Sequence, residues 1–243
     1  MSGHSKWHSI KHKKAAVDAK RGKMFTKLIK EIQVAARMGG GDQEANPRLR
    51  NIVLNAKALN MPKDNIEKAI KKGTGELEGV NYEEKNYEGY APGGVAIYVE
   101  TLTDNPNRTT AEVRHTFSKY GGNLGTSGSV AWMFENKGII VLDASKYKED
   151  EIFEMVIDAN IDNIEKEEDS LVITAPVENF NQTREILDSN KIEIISADTE
   201  LIAKTKADID NKTIQKVARL VEKIEELDDM QDVYVNVDLP ESE

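Results

Sequence analysis

Along the first third of the chain the apolar residues recur every three or four positions, and beyond it they gather in short β-branched runs. Phe25, Leu28, Ile29, Ile32 and Ala36 form one stripe, which predicts a helix from Arg21 that stops at Gly39-Gly40-Gly41. Asn46-Pro47 predicts an N-cap followed by proline at the first helical position, with Leu49, Ile52, Val53, Ala56 and Leu59 as the next stripe. A third helix restarts at Pro62, carries Ile66, Ala69 and Ile70, and is expected to end at Gly73. Residues 1–20 have few apolar positions and are expected to form a partly helical arm. Residues 1–75 therefore read as a small three-helix domain.

Residues 74–93, rich in Gly, Glu and Tyr, read as a linker and entry segment. After them the period shortens. Val95–Leu102 predicts a strand, Pro106–Tyr120 a helix stopped by Gly121-Gly122, and Ser129–Phe134 a second strand. Next come a strand at Ile139–Leu142, a helix at Glu149–Ala159, and strands at Asp162–Lys166 and Leu171–Thr174. A helix at Glu178–Ser189 and a strand at Ile192–Ser196 complete the order β-α-β-β-α-β, the ferredoxin-like unit. The tail reads as a strand at Glu200–Lys204, a helix capped by Asp210, and a strand at Asp232–Val237. It supplies the missing half of the earlier β-α-β. The expected fold is α+β: a three-helix domain (1–75), a discontinuous ferredoxin-like domain (76–136 and 199–243), and a second ferredoxin-like domain (137–198) inserted within it.

Charge adds a division that the periodicity does not reveal. The 243 residues carry 33 Lys and Arg against 43 Asp and Glu, a net charge of −10. Through Lys72 the count is 17 against 6, and from Gly73 onward it is 16 against 37. Such asymmetry describes a basic limb on an acidic body. Lys6, Lys11, Lys13, Lys14, Lys20, Arg21, Lys23, Lys27 and Lys30 form one cationic run, offset over that span by Asp18 alone. A run of this kind attracts phosphate backbones by releasing their condensed counterions. Trp7, inside the run, has two uses open to it: stacking on a base or packing on the first helix. Arg108 stands where a strand feeds a helix N-terminus, with His115 and Lys119 on the same helical face, and joins the candidate phosphate contacts.

Other motifs narrow the chemistry. The chain has no cysteine, so disulfides, Cys-ligated zinc and a thiol nucleophile are excluded. His4, His8 and His12 are spaced by four, but no carboxylate lies among them, and solvation or phosphate contact is expected there rather than a metal. Gly121–Gly128 lies between a helix and a strand and lacks the Lys-Ser/Thr ending of a phosphate loop. Trp132 and Phe134, on one side of a predicted strand, have two uses open to them, stacking bases on an exposed sheet face or packing in the core, and are read as core. No Ser/His/Asp constellation stands out, and only His115 follows the arm. No run approaches the length of a membrane span, and no apolar stretch follows the basic N-terminus as in a secretory leader. The expectation is a cytoplasmic protein without membrane, cofactor or metal.

Several longer stretches stand out: Gly3-His-Ser-Lys-Trp7, Lys14–Lys23, Gly39–Asp42 followed by Ala45–Arg50, Tyr87–Tyr90 with Pro92–Gly94, Asn107–Thr109 with Ala111–His115, and Gly121–Gly125 with Gly128–Ala131. Together, in this order, they resemble the YebC family. The resemblance runs the full length. It implies an N-terminal helical domain followed by two α/β domains. Bacterial members are commonly labelled DNA-binding transcriptional regulators. Mitochondrial relatives are translational activators, and bacterial members also look like ribosome-associated factors that help translation through proline-rich stretches. The functional expectation is a non-enzymatic, nucleic-acid-binding regulator of gene expression. Its partner is ribosomal RNA on the ribosome, with promoter DNA as the alternative and a metal-dependent nuclease as a remote third.

Overall fold

The computed structural model describes residues 17–167 and 169–240, with side-chain surroundings from Gly22 onward. Three helices come first: α1 (Val17–Gly39), α2 (Pro47–Ala58) and α3 (Lys63–Thr74). Their stripes meet in one core, where Leu28, Ile32 and Ala36 pack against Leu49, Ile52, Val53, Ala56, Ile66 and Ala69. Asn46 fixes the α1–α2 corner. Its Oδ1 accepts from the Leu49 N–H at 3.1 Å, and its Nδ2 donates to the carbonyls of Ala35 and Gly40, both at 2.9 Å. One side chain thus caps the start of α2 and takes up carbonyls at the end of α1. Gly73 does not end α3. It sits inside the last turn because the helices touch there: a Cβ at Gly73 would lie 2.4 Å from the Gln33 carbonyl oxygen.

Two four-stranded antiparallel sheets follow. The first is built from β1 (Glu83–Tyr90), β2 (Ala96–Thr103), β3 (Asn123–Leu124) and β8 (Met230–Val235), in the order β3-β1-β2-β8. Two helices, α4 (Pro106–Lys119) and α7 (Asn211–Glu225), pack on it through Val113, Phe117, Val217, Leu220 and Ile224. β1 lies where a linker is expected from sequence. Its residues, EEKNYEGY, include no β-branched side chain, and backbone pairing with β2 along all eight positions holds it in place. The chain therefore enters this sheet as a β-hairpin before its first helix.

The second sheet contains β4 (Phe134–Asp143), β5 (Asn163–Glu167), β6 (Ser170–Pro176) and β7 (Ile194–Ala203), in the order β5-β6-β4-β7. With α5 (Glu149–Val156) and α6 (Val177–Ser189) it gives the β-α-β-β-α-β order expected from sequence. Gly138 on β4 makes room for Phe180 of α6, since a Cβ there would fall 2.5 Å from that ring. Two expectations change at the edge of this sheet. Ser129–Phe134 is not a strand: Ala131–Met133 form a 3₁₀ turn, and β4 starts at Phe134. The strands expected at Ile192–Ser196 and Glu200–Lys204 are one strand, β7, paired with β4 from Phe134↔Ala203 to Leu142↔Ile194. The chain leaves and re-enters the first sheet along these two hydrogen-bonded strands. Phe134, Leu201 and Ala203 then pack on Ala96, Val130, Tyr98 and Tyr234 of the first sheet region.

One buried carboxylate joins the helices to the first sheet. Asp229, in the turn between α7 and β8, is 3% exposed. Its Oδ1 accepts from Lys30 Nζ of α1 at 3.0 Å. Its Oδ2 accepts from Arg108 Nη2 at 2.6 Å, Thr109 Oγ1 at 2.7 Å and Thr103 Oγ1 at 3.1 Å. Lys30, 8% exposed, also donates to the Asp228 carbonyl at 3.0 Å. Burial alone would raise the Asp229 pKa. The hydrogen bonds from Arg108, Thr109 and Lys30 outweigh it and hold the group at about 2. A folded carboxyl that titrates below its unfolded value of 3.8 stabilises the fold fully above that pH, and this stabilisation is lost as pH falls towards 2.

Two outcomes are expected from this linkage. Wild-type stability, followed by urea unfolding, should decline between about pH 4 and pH 2 by on the order of 2 kcal/mol through this group. Asp229→Asn should lose about 3 kcal/mol at neutral pH, because Lys30 is left buried without its counter-charge. It should also have a flatter acid limb. A variant that keeps the wild-type pH profile would contradict the assignment.

Candidate nucleic-acid interface

The structure divides the predicted cations into groups. Lys6, Trp7, Lys11, Lys13 and Lys14, with the three early histidines, lie outside the described residues. Lys20 and Arg21 lie on α1, ahead of the residues whose side chains are described. Lys23, Lys27 and Lys30 follow on α1 at intervals of four and three, and all three turn towards the first sheet region. Lys23 Nζ donates to the Glu225 carbonyl at 2.7 Å, at the end of α7, where a cation complements the helix dipole. Lys27 Nζ donates to the Gln231 carbonyl at 2.8 Å. Lys30 is buried on Asp229, which corrects its expected place on a contact surface: the ammonium is held by the protein's own carboxylate. Arg108 is likewise engaged, bonded to Asp104 at 2.8 Å and Asp229 at 2.6 Å. Both pairs raise its pKa, that with Asp229 the more strongly. The helix start around Arg108 thus acts as a structural corner rather than an anion site.

Further polar contacts fasten the other sides of the helical unit. Arg37 donates to Asn81 Oδ1 at 2.6 Å and to the Tyr82 carbonyl, and Arg48 pairs with Glu84. Towards the second sheet, Arg184 Nη1 donates to Asn51 Oδ1, and Asn55 Nδ2 donates to Asp198 Oδ2 at 3.3 Å. Burial lowers the Arg184 pKa, with the charge of Arg50 adding to that effect. The cations left on the outer faces of α2 and α3 are different. Lys57, Lys68, Lys71 and Lys72 are exposed, and among the described residues none has a carboxylate within ion-pair distance. Two turns of α3 therefore present three ammonium groups to solvent, with Lys57 of α2 as a fourth. Charge density along the sequence points to the arm and does not single these four out, although their place off the apolar stripes marks them.

A second feature lies at the edge of the first sheet. Glu88 on β1 is 6% exposed. Its Oε1 accepts from the Gly128 N–H at 2.7 Å, and its Oε2 from those of Val130 and Ala131 at 2.7 and 2.8 Å. Burial would raise this carboxyl's pKa, but the three backbone donors prevail and hold it below its ordinary value. The loop is thereby wrapped around an internal anion. Tyr90 Oη and Trp132 Nε1 both donate to the Ser129 carbonyl, at 2.9 and 3.1 Å, and Lys204 Nζ donates to the Trp132 carbonyl at 3.0 Å. The expectation that Trp132 is core is overturned: it is 67% exposed, while Phe134 is buried as expected. The 3₁₀ turn breaks the strand alternation between them and turns the indole outwards. The result is an aromatic ring displayed on a loop that is internally tied at several points.

Among the described residues, no group of three or more His, Asp or Glu side chains converges as a metal site, and no helix is long and apolar enough to cross a membrane.

Comparison with known proteins gives the chain its relatives. Residues 5–76 match the profile of the TACO1/YebC protein N-terminal domain, and residues 82–237 that of the TACO1/YebC second and third domain. A protein of Sulfurihydrogenibium is 56% identical over 245 residues, covering 100% of this chain and 97% of that protein. One of Desulfosudis oleivorans is 52% identical over 242 residues, covering 100% and 98%. Both are named probable transcriptional regulatory proteins. The crystal structure of a conserved hypothetical protein from Aquifex aeolicus superposes with a TM-score of 0.88 at 49% identity, covering 98% of each chain. With both profiles matched in order and relatives more than half identical along the whole length, this chain belongs to the TACO1/YebC family.

Proposed function

We propose that the protein is a non-enzymatic regulator of gene expression that grips RNA on the ribosome through its basic helical unit. One observation carries this reading: the cations of that unit are sorted. Those facing the first sheet region are engaged by protein oxygens, as with Lys23, Lys27 and Lys30. On the solvent side of α2 and α3, Arg48 and Lys63 pair with Glu84 and Glu67, whereas Lys57, Lys68, Lys71 and Lys72 have no carboxylate within ion-pair distance among the described residues. An outward face of such ammonium groups suits a polyanion. The remainder of the chain, with 16 Lys and Arg against 37 Asp and Glu, would be repelled by an extended duplex. A basic limb can still enter a crevice of folded RNA while the acidic body stays outside, which favours the ribosome over promoter DNA. Trp132 supplies an exposed ring of the type that stacks on unpaired bases.

A second reading, a transcriptional regulator on DNA, draws support from the names of the relatives. Co-sedimentation with ribosomes at moderate salt, set against footprinting on duplex DNA, separates the two. The proposal expects the protein in the ribosomal pellet. Protection of a defined duplex without co-sedimentation would favour DNA.

Replacing Lys57, Lys68, Lys71 and Lys72 together by Gln should weaken RNA binding. The plot of log K against log salt should become shallower by up to ~0.7 for each phosphate no longer neutralised. An unchanged slope would remove these side chains from the interface. Trp132→Ala should cost about 1–3 kcal/mol of RNA affinity while leaving the unfolding midpoint alone, and Trp132→Phe should restore most of it. Equal affinity for all three forms would show that the ring takes no part in binding.

A further inference from the structure

The acidic count from Gly73 onward conceals a local reversal of sign. On α7, Lys212, Lys216, Arg219 and Lys223 recur at i, i+4, i+7 and i+11. This spacing sets them on one helical face, each about 4.5–6 Å beyond the last along the axis. The opposite face, with Val217, Leu220, Val221 and Ile224, is buried on the first sheet. Lys212, Lys216 and Arg219 are exposed, and Lys223 is half-buried.

Tyr120, just past the end of α4, lies beside this row. Its ring centroid is 5.6 Å from Lys119 Nζ and 5.7 Å from Arg219 Cζ. The two helices are thus joined at the surface through an aromatic ring, a contact that leaves the positive charge in place. Three carboxylates temper the ends of the row, with Glu222 acting on Lys223 beside the two that follow. Lys223 donates to Glu226 Oε1 at 2.6 Å, and Asp210 lies near Lys216. Lys119, Lys212, Lys216 and Arg219 have no carboxylate within ion-pair distance among the described residues.

Two observations identify the occupant. First, the row ends beside the basic helical unit, because Lys23 of α1 caps the last turn of α7 through the Glu225 carbonyl, with the exposed acidic residues Glu222, Glu225, Glu226 and Asp228 at that junction. Second, among the described residues the face offers no exposed large apolar anchor, whereas protein partners dock around buried apolar or aromatic hot spots. We infer that the outer face of α7, with Lys119 and Tyr120, is a second phosphate-contact surface that extends the grip of the helical unit along the same nucleic-acid strand. This rests on the RNA-binding reading above.

The test compares three forms of the full chain on one single-stranded RNA over a salt series: wild type, Lys216→Gln/Arg219→Gln, and the α2–α3 variant in which Lys57, Lys68, Lys71 and Lys72 are Gln. The α7 variant should bind several-fold more weakly than wild type at moderate salt, with a slope shallower by up to ~1.4 if two phosphates go without a partner. Its urea midpoint should match wild type. If it does not, Lys212→Gln/Lys216→Gln, both fully on the solvent side, carries the same expectation. An α7 variant that binds like wild type while the α2–α3 variant weakens would overturn this inference and leave the broader reading standing. Wild-type protein that binds no RNA would overturn both. An α7 variant that loses affinity for polyglutamate but not for RNA would assign the face to an acidic protein partner, against the inference.

Discussion

Asp229 is the constraint on which the arrangement of the molecule depends. A carboxylate 3% exposed cannot remain charged without compensation, and here Lys30, Arg108, Thr109 and Thr103 supply it from three different elements. Lys30 comes from the helical unit, Thr103 from the end of β2, and Arg108 with Thr109 from the first turn of α4. Removing any one partner leaves a buried charge short of a counterpart. The network therefore fixes where α1 lies against the first sheet. That position decides which helical cations face inwards and which face solvent.

The same logic recurs at smaller scale. Glu88 gathers three backbone N–H groups, shapes the loop before β4 and leaves Trp132 outside. Asn46 serves the ends of two helices with one side chain. The paired strands β4 and β7 carry the chain out of the first sheet and back without a free linker. Polar groups that would be costly to bury alone are in each case placed where several backbone or side-chain partners meet. The outward faces are then set by what is left over: lysines on α2 and α3, a cationic row on α7, and one indole.

Much of the fold is legible in the sequence because the helices obey a single period. Leu28, Ile32, Leu49, Ile52 and Ile66 are all buried, as their spacing requires. The strands are less legible where backbone pairing, not side-chain type, decides. The EEKNYEGY segment has no strand signature and is held by β2 alongside it. β7 reads as two strands because Asp198 and Glu200 interrupt its apolar residues, yet it pairs with β4 without leaving the sheet. The sites are less legible still. A lysine that will bury itself on a distant aspartate looks the same in sequence as one that will face solvent. Lys30 and Asp229 are separated by almost the whole chain, so no local pattern pairs them. Trp132 sits two residues from a buried Phe, and only the 3₁₀ turn between them separates their fates. The α7 row follows helical spacing and is found by asking which charges share a face rather than which dominate a segment.

The central claim is that inward cations build the fold and outward ones hold a nucleic acid. Ultraviolet crosslinking in growing cells tests it most directly, with the attached nucleic acid sequenced and the crosslinked peptides mapped. The expected product is ribosomal RNA, joined to peptides from the N-terminal arm, from the outer faces of α2 and α3 and from α7. Recovery of no nucleic acid, or crosslinks confined to the second sheet and its helices, would contradict it.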